Sequence, residues 1–229
     1  MKSGFMPLFD GREETFKAWR KVGPNDFVLH RGELVTCGSD DFALLFYSSF
    51  TFSDFLLCLE FRLSDPLRDN SGVFVRFRDP RLPPTEEIIR RDESGNVLRN
   101  PAWIAVWSGF EIQIDEQAKG SKQKNDRDGL DKNRTGAIYQ IPTGQEGEPK
   151  LQDFRPAPPL KADQWNDYEI EVKGQNYVVR LNGYQTTRFS NTDPRRGVPA
   201  DRDPDSGFIG LQSYRSSRVS FRNIRIQPL

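Results

Sequence analysis

One histidine, His30, and two cysteines, Cys37 and Cys58, stand in a chain of 229 residues. So few histidines exclude a zinc centre built on two or more of them within this chain. A Ser-His-Asp or Cys-His arrangement would have to use His30 itself, and no Gly-x-Ser-x-Gly elbow occurs. His30 lies in a stretch that reads as strand, turn, strand, so acid–base work falls to carboxylates. The cysteines sit in apolar, strand-like text and read as buried free thiols rather than a disulfide. Net charge is also missing: 33 basic residues balance 33 acidic ones. That removes the general electrostatic case for nucleic acid or an anionic membrane surface. No apolar run approaches the roughly 20 residues that span a bilayer. The first ten residues carry no apolar h-region, so the chain as written reads as cytoplasmic.

What the chain has is alternation. Phe55, Leu57, Leu59 and Phe61 alternate with Leu56, Cys58, Glu60 and Arg62. Val73 and Val75 alternate with Phe74 and Arg76, and Tyr168, Ile170 and Val172 with Glu169 and Glu171. Further strands are expected over 43–47, 177–181, 208–212 and 218–226. Asn182-Gly183, between two such runs, is a hairpin signal. Short strands punctuated by 18 glycines and 16 prolines, with 17 phenylalanines for bulk, predict a two-sheet antiparallel sandwich of jelly-roll type. Three long polar insertions, 79–100, 116–134 and 191–206, read as rims of a binding site, the first with a possible short helix. Patterned strands continue on both sides of each, so residues 1–229 read as one domain.

The segment Gly109-Phe110-Glu111-Ile112-Gln113-Ile114-Asp115 is the richest in chemistry. Successive strand side chains point to opposite faces. Phe110, Ile112 and Ile114 therefore face a core, while Glu111, Gln113 and Asp115 share a polar face. Paired carboxylates on one surface are what glycosidic-bond chemistry uses. Arg76 is placed opposite Val73 and Val75, where its planar fork could orient a carboxylate or substrate oxygen. Trp103 and Trp107, read as an extension of the Glu111 strand, offer aromatic platforms for a sugar ring. Tyr139 could donate a hydroxyl, and Trp165 reads as core. The oxygen-rich stretch 125–133 departs from the EF-hand template. Any metal would be a divalent cation with oxygen ligands, and no residue is assigned to one.

These motifs, with Pro7-Leu8-Phe9-Asp10-Gly11, Asn70-Ser71-Gly72-Val73-Phe74-Val75-Arg76, Thr135-Gly136-Ala137-Ile138-Tyr139, Gln164-Trp165-Asn166-Asp167-Tyr168, Gly207-Phe208-Ile209-Gly210-Leu211-Gln212 and Phe221-Arg222-Asn223-Ile224-Arg225-Ile226, resemble the 3-keto-disaccharide hydrolase domain family, in order and over nearly the whole chain. The resemblance implies a concanavalin A-like lectin/glucanase sandwich whose site lies on the concave sheet, and a carbohydrate or glycoside ligand. Relatives are often exported. With the reading of the residues above, the candidate catalytic residues are Glu111, Asp115 and Arg76, and the candidate substrate-binding ones Gln113, Trp103, Trp107, Tyr139 and Gln212. Glu111-x-Gln113-x-Asp115 is also similar to the Glu-x-Asp-x-Glu of laminarinase-type glucanases. Residues four apart on a strand lie about 13 Å apart at the backbone, too far for a retaining or inverting pair without a twist or bulge. The family often follows Gly-Leu-Gln with Asp-His, whereas Ser213 and Tyr214 follow here. The expected activity is cleavage of a glycosidic bond in a 3-keto glycoside. The alternative is a non-catalytic carbohydrate-binding module.

Overall fold

Fourteen strands form among the described residues, in a computed structural model that describes residues 4–38, 41–83, 100–120, 129–192 and 205–229. The first seven are β1 (Met6–Phe9), β2 (Trp19–Val22), β3 (Asp26–His30), β4 (Glu33–Cys37), β5 (Phe42–Tyr47), β6 (Phe55–Leu63) and β7 (Ser71–Phe77). After them come β8 (Phe110–Ile114), β9 (Gln152–Phe154), β10 (Trp165–Lys173), β11 (Asn176–Leu181), β12 (Tyr184–Ser190), β13 (Phe208–Tyr214) and β14 (Val219–Pro228). One antiparallel sheet has nine strands in the order β3-β4-β14-β6-β10-β11-β12-β9, with β1 added beside β14. The other has five, in the order β2-β5-β13-β7-β8. The result is the open two-sheet sandwich expected from the alternation. Most of the first and last insertions (84–99 and 193–204), and 125–128 of the oxygen-rich stretch, lie outside the described residues.

The inward rows of both sheets make one core. Phe55, Leu57, Leu59, Phe61, Ile170 and Val172 from the nine-stranded sheet meet Val73, Val75, Ile112, Ile114, Ile209 and Leu211 from the five-stranded one. All twelve are buried, as parity predicts. Tyr168 joins the layers by a polar contact as well: its hydroxyl donates to the Gln113 carbonyl at 2.6 Å. Turns follow their residues. Arg31 and Gly32 have φ of 51° and 79°, and Asn182 and Gly183 have 51° and 80°, the paired positive angles of tight hairpins.

The five-stranded sheet is apolar on part of its second face too. Every residue of Phe42–Tyr47 is buried. Phe42, Leu44 and Phe46 alternate away from the main core and pack with Phe74 and Phe77 beneath a short helix. That helix (Trp103–Ser108, preceded in the chain by the four-residue α1, Glu13–Phe16) is α2. It corrects the strand reading of Trp103 and Trp107. Four-residue spacing also marks one face of a helix, and Ala102 and Ala105 lie close on the phenylalanine layer.

The core reading of Trp165 is also corrected. Trp165 is half-buried on the outer face of the nine-stranded sheet, with the guanidinium carbons of Arg62 and Arg222 at 4.8 and 3.9 Å from its ring centre. Glu60 and Arg62 do not pair with each other. Glu60 takes Arg222 at 2.6 Å, and Arg62 takes Glu33 at 2.7 Å. The cysteines form no disulfide, with Cys58 buried and Cys37 half-buried.

Phe61 is fully buried with its ring 4.8 Å from that of Tyr168. Phe61→Ala is expected to cost about 3–5 kcal/mol in a urea titration. Tyr168→Phe, which orphans part of the Gln113 carbonyl, is expected to cost about 1–2 kcal/mol.

Candidate active site

Strand β8 is the last of its sheet, yet its outer edge is not bare. Tyr139 N–H donates to the Glu111 carbonyl at 2.9 Å, and Gln113 N–H to the Ala137 carbonyl at 2.9 Å. Gly136 N–H donates to Gln113 O at 3.0 Å, and Thr135 N–H to Asp115 O at 3.1 Å. Residues 135–139 thus act as an irregular extra strand. Gly136 has φ of 89°, and its carbonyl accepts from Thr186 Oγ1 at 3.0 Å and Thr187 Oγ1 at 2.7 Å. The buried Gln152 side chain brackets Ile138, accepting its N–H at 3.0 Å and donating to its carbonyl at 2.9 Å. This framework turns the Tyr139 side chain toward the face that carries Glu111.

A pocket opens there, on the face of the five-stranded sheet turned away from the other sheet. Glu111, Gln113 and Gln212 line its sheet side, with Asn70 just before β7. Trp103 and Val106 from α2, Tyr139, Phe42 and Tyr214 complete most of the wall. Glu111 is 6% exposed and Gln212 7%. Gly72 pairs with Gln113 across the ladder, and the Glu111 side chain lies over it. The Gln113 Oε1 accepts the Ile114 N–H at 3.2 Å. The buried Gln212 Oε1 has no hydrogen-bond partner among the described residues, so it is an acceptor available to a hydroxyl. Trp103 is held by an edge contact to Phe42, centroids 5.3 Å apart, and by its Nε1–H donating to Asp41 Oδ2 at 3.4 Å.

Of the eight residues expected to form a site, Glu111, Gln113, Trp103, Tyr139 and Gln212 come together in this pocket. Arg76 does not. It is the extra residue of a bulge between the pairs Phe208–Phe77 and Ile209–Val75, with φ of 55°, so strand parity no longer sets its direction. Its buried guanidinium instead donates to Ser53 O at 2.7 Å and to Gly174 O at 2.5 Å and pairs with Asp54 at 3.1 Å, tying the loop before β6 to the turn between β10 and β11. Trp107 packs with Ile104 against the rest of α2 rather than lining the pocket.

Asp115 follows the last residue of β8 and serves the turn after it. Its Oδ1 accepts Gln117 N–H at 3.2 Å; its Oδ2 accepts Gly120 N–H at 2.8 Å and Asn70 Nδ2 at 3.2 Å. The groups that reach the pocket there are its partners Asn70 and Gly120. Burial pushes the Asp115 carboxyl up to about 6, against the pull of those backbone donors. Asn70, Phe42, Val106, Tyr214 and Gly120 were absent from the expected set. Asn70 opens the Asn70–Arg76 segment, but only its contact with Asp115 marks it; Phe42 and Val106 are ordinary core text.

Ser213 points inward and is fully buried, whereas Tyr214 lines the pocket. Tyr214 therefore occupies, on the pocket side, the position at which the resemblance leads to a histidine being expected. Among the described residues the pocket lining offers a divalent cation one carboxylate and side-chain amide oxygens rather than a cluster of carboxylates. Glu111 is the one carboxylate among the lining side chains, Asp115 is engaged by three N–H groups, and no three of His, Cys, Asp or Glu converge among the described residues.

A two-sheet antiparallel sandwich with an aromatic and amide-lined pocket on one sheet has the architecture of the lectin-like sandwiches. The chain belongs to the family of the 3-keto-alpha-glucoside-1,2-lyase-like domain, whose profile matches residues 4–227. No curated protein matches it. Among solved structures it is similar to two proteins of Parabacteroides distasonis ATCC 8503 provisionally assigned as glycosyl hydrolases. One is 18% identical with a TM-score of 0.63, covering 99% of this chain and 94% of that one. The other is 23% identical with a TM-score of 0.62, covering 98% and 99%. The carbohydrate-binding module CBM66 of Bacillus subtilis is 12% identical with a TM-score of 0.52, covering 92% and 95%. At these identities the likeness is one of fold.

The raised Asp115 carboxyl makes a signed prediction. A folded-state value above the ordinary 3.8 favours the protonated native form. Its contribution is fully present below about pH 3.8 and is lost as pH rises through about 6. Unfolding free energy of the parent minus that of Asp115→Asn is therefore expected to fall by about 2–3 kcal/mol between pH 4 and pH 7.5. Parallel profiles would place the titration elsewhere.

Proposed function

We propose that this chain is one domain that cleaves the glycosidic bond of a 3-keto glycoside, with Glu111 as the base. The observation that carries this reading is the setting of Glu111: it is a buried carboxylate in a pocket of aromatics and amides, and among the described residues it is the one carboxylate that lines the wall. Paired-carboxylate hydrolysis needs two such groups about 5–9.5 Å apart on either side of the bond. A ketone at C3 asks for only one. It acidifies the C2 proton, which Glu111 removes to give an enolate. The enolate electrons then form the C1–C2 double bond as the C1–O bond breaks, and the aglycone leaves with a proton. Water adds across the double bond to return the 3-keto sugar.

The side-chain amides of Gln113 and Gln212 offer N–H donors to the enolate oxygen, in place of the charge first expected from Arg76. Gln212 Oε1 takes a sugar hydroxyl, and Trp103 with Tyr139 gives the ring apolar faces to pack on. Tyr139 and Tyr214 are the lining groups with an O–H to lend to the departing aglycone. Family membership supports the substrate class, and the pocket's position supports the residues.

The binding-only reading keeps one point in its favour, a tyrosine at position 214 where the family resemblance leads to a histidine being expected. Incubation with 3-keto-glucosides, with and without divalent cations, separates the two by aglycone release. Glu111→Gln keeps the shape and removes the base, so turnover is expected to drop about 10²–10⁴-fold while the fold survives. An active parent whose Glu111→Gln variant is equally active would remove Glu111 from the mechanism. A well-folded parent inert on every keto-sugar would leave a binding module.

A further inference from the structure

We infer that Gly72 is a positioning residue: its missing side chain is the space in which the Glu111 carboxylate lies, and so it sets where that carboxylate is presented to the pocket. The inference rests on the proposed role of Glu111 for its catalytic meaning, though not for its geometry. A Cβ built on Gly72 would stand 2.2 Å from Glu111 Oε1, 2.7 Å from its Cγ and 2.8 Å from its Cδ. Three atoms of one side chain are therefore too close, and the side chain as a whole must move. No other neighbour ranks among the three nearest atoms.

The backbone supplies no competing reason for glycine. Gly72 lies within the regular ladder of β7 and β8, paired with Gln113, and is not among the positive-φ positions. An alanine there meets no conformational objection and would ordinarily improve a strand interior. Gly136 differs, since its φ of 89° asks for glycine whatever packs against it. Gly210 also has an ordinary backbone, but the nearest atom to its Cβ is Leu44 Cδ1, an apolar core neighbour. At position 72 the space is reserved for a carboxylate.

That space has a second border. Leu211 pairs with Val73, so one further step along the register sets Gln212 beside Gly72 on the side away from Gln113. Glu111, Gln113 and Gln212 thus surround a patch of bare backbone. Glu111 can lie down across the sheet instead of standing off it, and a ligand can approach between the two amides. A methyl group at 72 would lift the carboxylate and narrow that approach.

The test uses Gly72→Ala in the whole chain. The carbon-13 signal of the Glu111 carboxyl, assigned through Glu111→Gln, is followed by pH titration in parent and variant. A 4-nitrophenyl 3-keto-glucoside reports turnover. The expected result is a folded variant whose Glu111 titration midpoint moves, with kcat reduced about 10²-fold and KM changed less than about threefold. An unmoved Glu111 titration overturns the inference, and so does unchanged kcat in an active parent. If Gly72→Ala does not fold, Gly72→Ala/Glu111→Ala decides. A double variant that folds supports the inference, because the collision has been removed; one that fails overturns it. A parent inert on the keto-sugar with a shifted Glu111 titration defeats the proposed function and leaves the role of Gly72 standing.

Discussion

Everything in the pocket depends on β8 being held by its apolar half. Phe110, Ile112 and Ile114 are locked between the sheets, and Tyr168 bonds the same strand from the far layer. Because side chains alternate, that commitment leaves Glu111 and Gln113 only one direction to point. A slip of one residue would drive a carboxylate into the core and three large apolar groups into the pocket. The register of one five-residue strand is thus protected by burial energy that no ligand supplies.

Around that strand the protein separates two jobs that carboxylates often share. Glu111 lies in the pocket over a glycine, whereas Asp115, four residues on, is spent on three N–H groups of its own turn and of Asn70. The pocket is likewise made of two independent layers. The sheet supplies the polar groups, and α2, resting on a separate phenylalanine layer, supplies Trp103 and Val106.

The fold was legible because sandwich strands write their burial with period two. Phe55 to Phe61 and Val73 to Val75 declare their faces without help from anything distant. The site was legible as far as that rule extends. Arg76 escaped it because one bulged residue breaks the alternation, and nothing local in Val75-Arg76-Phe77 announces a bulge. Asp115 escaped it because the strand ends at Ile114, after which parity has no meaning. Trp103 and Trp107 fit strand and helix spacing equally, and the deciding layer of Phe42, Phe46, Phe74 and Phe77 is assembled from distant segments. Tyr214 and Asn70 reach the pocket through register and a cross-loop bond, neither of which has a sequence signature.

The sealed edge of β8 has a bearing on how anything can be recognised here. Exposed sheet edges invite other chains to add as strands, by backbone bonds indifferent to side chains. Here the carbonyls of Glu111, Gln113 and Asp115 and the Gln113 N–H are already taken by residues 135–139. Those residues are fastened in turn to the opposite sheet through Thr186, Thr187 and Gln152. A peptide finds no ladder to extend along this strand. What binds beside Glu111 must come down onto the face, and is selected by the side chains it meets there.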